Sequence, residues 1–348
     1  MSESKSHLVK MRAQKKAFFC AADQRVLDAA LDAGHALPHS CRGGNCGRCV
    51  AQVSGPYDYD RPTPPPGITA EQRQGGQALL CQIVPQGPLV IDVAHHSTPD
   101  VAPVIRIPSR IVRRERVAPD VMKLSLQLPR TQPIVFEPGQ YLDVLLDRGR
   151  RRSYSIANWP TSEDQSDQEE AGATLRAAAG LELHIRRVEG GVFSRIAFDE
   201  SATSLLRIEG PLGRFGWRPH AGPVVLVAGG TGYAPIKSML LSRIARGETH
   251  PTHLFWGARN QADLYEHDAV RAWQQAHDWF TYTPVLRDSA ENPRRLYEHA
   301  VERFVELDNA MMYVAGPPGL IQRIESVARD LQIDPDRVIT DSFDYAVT

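Results

Sequence analysis

The chain is poor in cysteine, in net charge and in long apolar runs. Five cysteines in 348 residues are too few for a disulfide framework, so reduced thiols or metal ligation are the better reading. A formal net charge of −1 removes any bulk electrostatic case for nucleic acid or an anionic membrane. No apolar run approaches the roughly 20 residues of a membrane span. The N-terminus, MSESKSHLVKMRAQKKAFFC, lacks the apolar core and small-residue cleavage site of a secretory signal. These absences predict a cytoplasmic protein with neither a nucleic-acid nor a membrane partner. There is no internal repeat. With 42% hydrophobic residues over this length, two or three domains can each bury a core.

The texture changes twice along the chain, predicting domains at 1–98, 103–219 and 220–348. The first holds every cysteine. HHSTPDVAPVIRIPSR (95–110) is polar and proline-bearing and reads as a linker. From 104 to 218, short β-type runs (VIRI, VMKLSLQL, YLDVLL, LELHIRRV, LLRIEG) are separated by turn residues, predicting an antiparallel barrel or sandwich. From 223 on, strand and helix patterns alternate, which predicts a doubly wound, mostly parallel sheet. YDYDRPTPPPG (57–67) and the acidic stretch 160–180 read as surface insertions.

The cysteines are the most specific signal. Cys41, Cys46 and Cys49 are spaced C-x4-C-x2-C, and thirty-one residues separate Cys49 from Cys81. Zinc ribbons need two C-x2-C pairs and only one is present. A thioredoxin-type dithiol would leave two cysteines unexplained. The spacing is that of plant-type 2Fe–2S ligands. Gly43, Gly44 and Gly47 let such a loop bend tightly and turn its N–H groups toward the sulfurs. His39 and Ser40 precede the first ligand, with loop packing as their role. Cys20, in AFFC, lies outside the pattern and reads as a buried strand residue. DQRVLDAALDAG (23–34) reads as a short amphipathic helix closed by Gly34.

Two further motifs follow. RRSYSIAN (151–158) offers a cation at Arg152, an aromatic face at Tyr154 and a hydroxyl at Ser155. A flat flavin ring wants the aromatic face, and its linking phosphate wants the cation and hydroxyls. Ser155 serves either that phosphate or the flavin N5 edge. Arg148, Arg150 and Arg151 read as solvated surface. RVEGGVFSRIA (187–197) places two glycines before a helix start, so Gly190, Gly191, Val192 and Ser194 are candidates for a flavin pyrophosphate.

VVLVAGGTGYAPIKSML (224–240) is a strand, a glycine turn and a helix. Gly229, Gly230 and Gly232 permit close backbone approach at a helix start, although the turn is not the G-x-G-x-x-G fingerprint. GGTGYAP resembles the nicotinamide-binding turn of the ferredoxin–NADP reductase superfamily, with Thr231 and Pro235 where that superfamily has them. Arg259, just past a strand, is either a reader of the NADP 2′-phosphate or a surface residue, and NADH and NADPH stay open.

With these motifs in order along nearly the whole chain, the sequence resembles NAD(P)H-dependent flavin/2Fe–2S reductases that carry an N-terminal plant-type ferredoxin. The resemblance implies a β-grasp ferredoxin domain, an FAD-binding barrel and an NAD(P)-binding domain. It implies that YVAGPPGL (313–320) faces the nicotinamide through Gly316 and Pro317, with Ala315 where family members usually have Cys. It places Phe343 near the flavin, with core packing as the other reading. The implied activity is electron transfer from NADH or NADPH through FAD and a 2Fe–2S cluster to a partner protein. That partner is the terminal oxygenase of a multicomponent aromatic-ring oxygenase. The alternative is a deoxysugar dehydrase served by a CDP-6-deoxy-glucoseen reductase, whose RRSYSIAN- and GGTGxAPxKS-type motifs this chain shares. A redox sensor that binds flavin without turnover is a third reading, and the complete nicotinamide half opposes it. Arg42, Asn45 and Arg48 on the cluster loop are either the partner-facing surface or simple solvating groups.

Overall fold

The computed structural model describes residues 6–35, 37–39, 44, 49–60, 68–93, 104–147, 150–160, 176–178, 180–213, 215–287 and 295–342. The chain divides into two compact units, 1–101 and 102–348.

The first unit contains β1 (Ser6–Met11), β2 (Lys16–Ala21), α1 (Val26–Asp32), β3 (Val50–Ser54) and β4 (Tyr57–Tyr59). It continues with α2 (Ala70–Gln74), β5 (Gln77–Leu79), β6 (Ile83–Pro85) and β7 (Leu89–Asp92). Five strands form a mixed sheet in the order β2-β1-β7-β3-β5, with β1 and β7 parallel. Val26, Leu27, Ala29 and Ala30 of α1 are buried in the core with the strands. That is the expected amphipathic helix, and Gly34 follows it at φ +78°. Part of the expected insertion at 57–67 is regular, because Tyr57–Tyr59 pairs antiparallel with β6.

The second unit opens with β8 (Ile105–Ala118), β9 (Val121–Gln127), β10 (Ile134–Phe136), β11 (Tyr141–Leu145) and β12 (Arg151–Ser155). It goes on through β13 (Arg176–Ala178), β14 (Gly180–Arg186), α3 (Val192–Phe198) and β15 (Leu205–Leu212). The expected linker therefore gives way to strand at Ile105. Six strands pair antiparallel in the order β12-β11-β15-β8-β9-β14. The two outer strands meet through an Ile156↔Leu183 bridge, which closes the sheet on itself as a barrel. Leu181, Leu183 and Ile185 of β14 point into its core. Arg151 is not surface: it pairs with Glu209 and lies 3.9 Å from Asp143, both buried.

The rest is β16 (Val224–Gly229), α4 (Tyr233–Arg246), β17 (Thr252–Ala258), α5 (His267–Ala276) and β18 (Phe280–Leu286). Then come α6 (Leu296–Glu306), β19 (Met311–Gly316), α7 (Pro318–Asp330) and β20 (Val338–Ser342). All five strands are parallel, in the order β18-β17-β16-β19-β20. The all-apolar run of β16 follows from burial on both faces. Val224, Leu226 and Ala228 pack with Tyr233, Ile236, Met239 and Leu240 of α4 and Val270 of α5. Val225 and Val227 pack on the opposite face with Ala300, Val301 and Phe304 of α6 and Ile321 and Ile324 of α7. The winding reverses between β16 and β19, so their carboxyl ends flank the crevice where such sheets take ligands.

Helix α4 ties this sheet to the barrel. Lys237 Nζ donates to Glu182 Oε1 of β14 at 2.7 Å and to Glu266 Oε1 at 2.8 Å, and Lys123 Nζ of β9 reaches Glu266 at 3.3 Å. Next to Lys237, the Ser238 hydroxyl donates to the Asn158 carbonyl at 2.8 Å. His184 bonds Glu182 at 2.9 Å and Tyr265 at 2.9 Å. Burial pushes the Glu182 carboxyl up, but hydrogen bonding and charge from His184 and Lys237 outweigh burial and hold it at about 2. Among the described residues, no helix is long and apolar enough to cross a membrane.

Because the Glu182 carboxyl titrates lower in the folded chain than its ordinary 4.5, its stabilisation is complete above that value and is lost as pH falls toward 2. The difference in thermal midpoint between the unaltered chain and Glu182→Gln is therefore expected to shrink steadily from pH 5 down to about 2, read by circular dichroism.

Candidate functional site

The described residues bring four of the sequence motifs to defined places. Tyr154 and Phe193 have ring centroids 5.1 Å apart, which sets RRSYS against the GGVFS turn. The Arg152 Nη2 and Ser155 Oγ atoms are buried with no hydrogen-bond partner. Buried donors are ordinarily satisfied, so these two fit an anionic, acceptor-bearing group such as a flavin and its phosphate. Burial pushes the Tyr154 phenol well above its usual range, with the Arg152 charge opposing, so it stays neutral as a flat apolar face. Gly190 sits at φ +71°. A Cβ on Gly191 would come 2.6 Å from Ser194 Oγ and 2.9 Å from the Val188 carbonyl. The Ser194 hydroxyl itself donates to Val188 O at 3.0 Å and Gly191 O at 3.1 Å. It therefore shapes the turn, which leaves backbone N–H groups as the donors this segment could offer a phosphate.

The GGTG and AGPP turns lie at the reversal of the parallel sheet. A 3-10 turn, Gly230–Gly232, joins β16 directly to α4. A Cβ on Gly232 would collide with the Ala315 carbonyl and lie 2.9 Å from the Gly316 Cα. One on Gly229 would lie 2.8 Å from Pro317 Cδ. GGTG and AGPP are thus pressed together backbone to backbone, with Thr231 on the turn and Pro235 buried in the first turn of α4. The Tyr233 ring lies flat on Trp256 at 3.9 Å, and Trp256 Nε1 donates to the Gly230 carbonyl at 3.0 Å, which fixes the turn from below.

Sequence reasoning missed Arg186. It leaves the barrel at the end of β14, and its Nη2 would stand 3.0 Å from a Cβ on Gly230, so a guanidinium lies over the GGTG turn. Its Nε is buried without a partner. The signal was the second cationic position in HIRR, read only as strand. Arg259, expected either to read a phosphate or to lie on the surface, is clasped by carboxylates. Its Nε donates to Asp263 Oδ2 at 2.7 Å and its Nη2 to Asp120 Oδ2 at 2.8 Å. A cavity of about 360 Å³, lined by Lys123, Lys237, Tyr265, Glu266, His267 and Trp273, sits at the barrel–sheet junction and not at the turns.

In the first unit, β3 and β5 pair Val50 with Leu79, and Leu80 N donates to Cys49 O at 3.0 Å. Cys49 and Cys81 therefore emerge at the same end of that ladder, both buried and neither in a disulfide. The Gln82 amide donates to Cys81 Sγ at 3.5 Å. His39 is occupied by loop packing, with Nδ1 2.7 Å from Leu37 O. Cys20 is buried in β2, and burial pushes its thiol up to about 12, with Asp28 and Asp23 adding to the shift, which makes it inert. Cys41, Cys46, Ser40, Arg42, Asn45, Arg48, Arg148 and Phe343 lie outside the described residues, as does most of the 160–180 stretch.

Three family models match in this order: a 2Fe–2S iron-sulfur cluster binding domain at 10–86, an oxidoreductase FAD-binding domain at 108–217 and an oxidoreductase NAD-binding domain at 226–326. Component 2 of the terephthalate 1,2-dioxygenase reductase of Comamonas sp. is 33% identical over 340 residues, 94% of each chain. The chain belongs to the NAD(P)H-dependent iron–sulfur flavoprotein reductases. Another relative of this reductase is the CDP-6-deoxy-L-threo-D-glycero-4-hexulose-3-dehydrase reductase of Yersinia pseudotuberculosis. It is 36% identical over 265 residues, 75% of this chain and 74% of that one. Among solved structures, the Amycolatopsis reductase GcoB superposes with a TM-score of 0.77 at 29% identity, covering 97% of this chain and 98% of that one. The reductase carries cluster, FAD and NAD(P)H binding domains, and it passes electrons from NAD(P)H to its ferredoxin cluster.

Two substitutions separate the turns from the flavin strand. Gly232→Ala is expected to destabilise the chain by about 1–3 kcal/mol through overpacking and to weaken coenzyme binding, read by denaturant unfolding and coenzyme titration. Arg152→Ala is expected to lower the flavin-to-protein ratio of the purified reductase while leaving the cluster's visible absorbance intact.

Proposed function

We propose that this reductase supplies electrons to the terminal oxygenase of a multicomponent oxygenase acting on an aromatic substrate. The observation carrying this reading is the terephthalate dioxygenase relative, whose likeness runs through all three modules and over 94% of both chains. The dehydrase-reductase relative supports the second reading, an electron supply to deoxysugar dehydration, but its likeness covers 75% of this chain.

In this reading Cys41, Cys46, Cys49 and Cys81 hold the cluster. Arg152, Tyr154, Ser155 and the Gly190–Ser194 turn hold FAD, with Arg152 at the phosphate and Tyr154 against the ring. Gly229, Gly230, Thr231, Gly232, Pro235, Gly316 and Pro317 hold the nicotinamide coenzyme, and Phe343 covers the flavin. When bound, flavin and cluster supply the conversion of a two-electron hydride donor into single electrons for a protein acceptor. The chain's own part is positional. The two close-packed turns offer bare backbone to the coenzyme, and Lys237 and Ser238 fix the helix that starts there against the flavin strand.

The test is steady-state reduction of cytochrome c by the purified protein with NADH and with NADPH, together with iron, sulfide and flavin analysis. Turnover with at least one coenzyme is expected, and none with either would sink the reading. Cys81→Ser is expected to remove the cluster's visible absorbance and cytochrome c reduction while NAD(P)H still bleaches the flavin under anaerobic conditions. Coupling to the acceptor is read by mixing with an aromatic-ring dioxygenase component or with a deoxysugar dehydrase. Product formed only in the second mixture would replace the first reading by the other.

A further inference from the structure

Arg259 follows β17, the second strand of the parallel sheet, by one residue. In doubly wound nucleotide folds the side chains near this point meet the adenosine ribose, a carboxylate taking the 2′-hydroxyl of NAD and an arginine the 2′-phosphate of NADP. Here the arginine has been taken up from two sides. Asp263, four residues on and buried, accepts from Nε at 2.7 Å and from Nη2 at 3.2 Å. Asp120 accepts from Nη2 at 2.8 Å. Asp120 belongs to the turn between β8 and β9, on the flavin barrel, so the contact joins residues 139 apart in sequence.

We propose that Asp120 makes this chain selective for NADH, by occupying Nη2 of Arg259 on its outer Nη1–Nη2 fork, the fork that Asp263 leaves open to the 2′-phosphate of NADPH. The inference rests on the nicotinamide reading of the GGTG and AGPP turns. A guanidinium recognises phosphate through a two-donor fork; on Arg259 the Nε–Nη2 fork is filled by Asp263 and one limb of the Nη1–Nη2 fork by Asp120. A 2′-phosphate, carrying close to two negative charges, must displace Asp120 or sit beside two carboxylates.

Displacement is costly for a reason visible in Asp120 itself. Its Oδ1 is buried with no partner, and after Arg259 the nearest cation is Arg186, 3.6 Å from Oδ2. Removing Arg259 would leave this part-buried carboxylate to Arg186 at 3.6 Å as its counter-charge. A 2′-hydroxyl makes no such demand, because it donates to carboxylates and leaves the pair in place.

Asp120→Asn keeps the shape and removes the charge, and Asp120→Ser is made beside it so that one folded variant suffices. Each is compared with the unaltered holoprotein by kcat/KM for NADH and NADPH with ferricyanide as acceptor. Calorimetric affinities for ADP and 2′,5′-ADP isolate the 2′-phosphate without turnover. The unaltered chain is expected to favour NADH. Either substitution is expected to raise the NADPH-to-NADH ratio by about fivefold, the scale of one part-exposed ion pair, and to tighten 2′,5′-ADP relative to ADP by the same factor. Adding Arg259→Ala is expected to cancel the gain, and Asp120→Glu to restore the original ratio. An equal change for both coenzymes, an unchanged ratio, or a gain that survives Arg259→Ala overturns the proposal. If neither coenzyme supports turnover, the reductase reading has failed, and the two calorimetric affinities still decide the role of Asp120.

Discussion

Everything at the nucleotide end of the reductase depends on two stretches of backbone meeting with no side chain between them. Gly232 rests on the Ala315 carbonyl and the Gly316 Cα, and Gly229 on Pro317. The strands that carry these turns are neighbours in the sheet but 87 residues apart in register, Ala228 lying beside Ala315. Their carboxyl ends form the crevice because the chain winds to one side after β16 and to the other after β19. A methyl group at Gly232 would part the turns and tilt the start of α4, and α4 carries the residues that reach the barrel.

That reach explains the otherwise arbitrary APIKS sequence. Pro235 fixes the first turn of the helix, while Lys237 and Ser238 lie on the side facing the barrel. Lys237 joins Glu182 and Glu266 into one network, and Ser238 meets the carbonyl of Asn158, three residues past Ser155. Asn158 in turn donates to Gly180 O at 3.1 Å and accepts from Glu182 N at 2.9 Å. These bonds form one joint, which fixes the strand that carries RRSYS, the closing strand of the barrel and the helix after GGTG relative to one another.

The parts legible in the sequence were those the backbone or a metal dictates. Cysteine spacing and the glycines of GGVFS and GGTG are readable because few other residues satisfy the geometry. Strand runs such as VVLVAG are readable because burial on two faces leaves no polar position. The short strands β10, β13 and β20 were not read: they are brief or, like VITDS, polar at several positions, and their pairing comes from the sheet they join. The partners of charged residues were hidden for another reason. Arg151 looked solvated because nothing local reveals Glu209 across the barrel. Asp120 and Arg186 meet through the β9–β14 ladder, but Arg259 reaches Asp120 only after barrel and sheet have docked, and no local pattern encodes a pairing over 139 residues. Nothing local shows that the Ser194 hydroxyl turns inward to the Val188 and Gly191 carbonyls and builds the turn.

Trp256 lies fully buried against Tyr233, with its indole N–H on the Gly230 carbonyl. An indole's emission depends on the dipoles around it, and here one of them is the Gly230 carbonyl of the GGTG turn, which accepts its N–H. The protein thus contains its own fluorophore at the nucleotide turn, and the colour of one tryptophan is tied to the position of one carbonyl group.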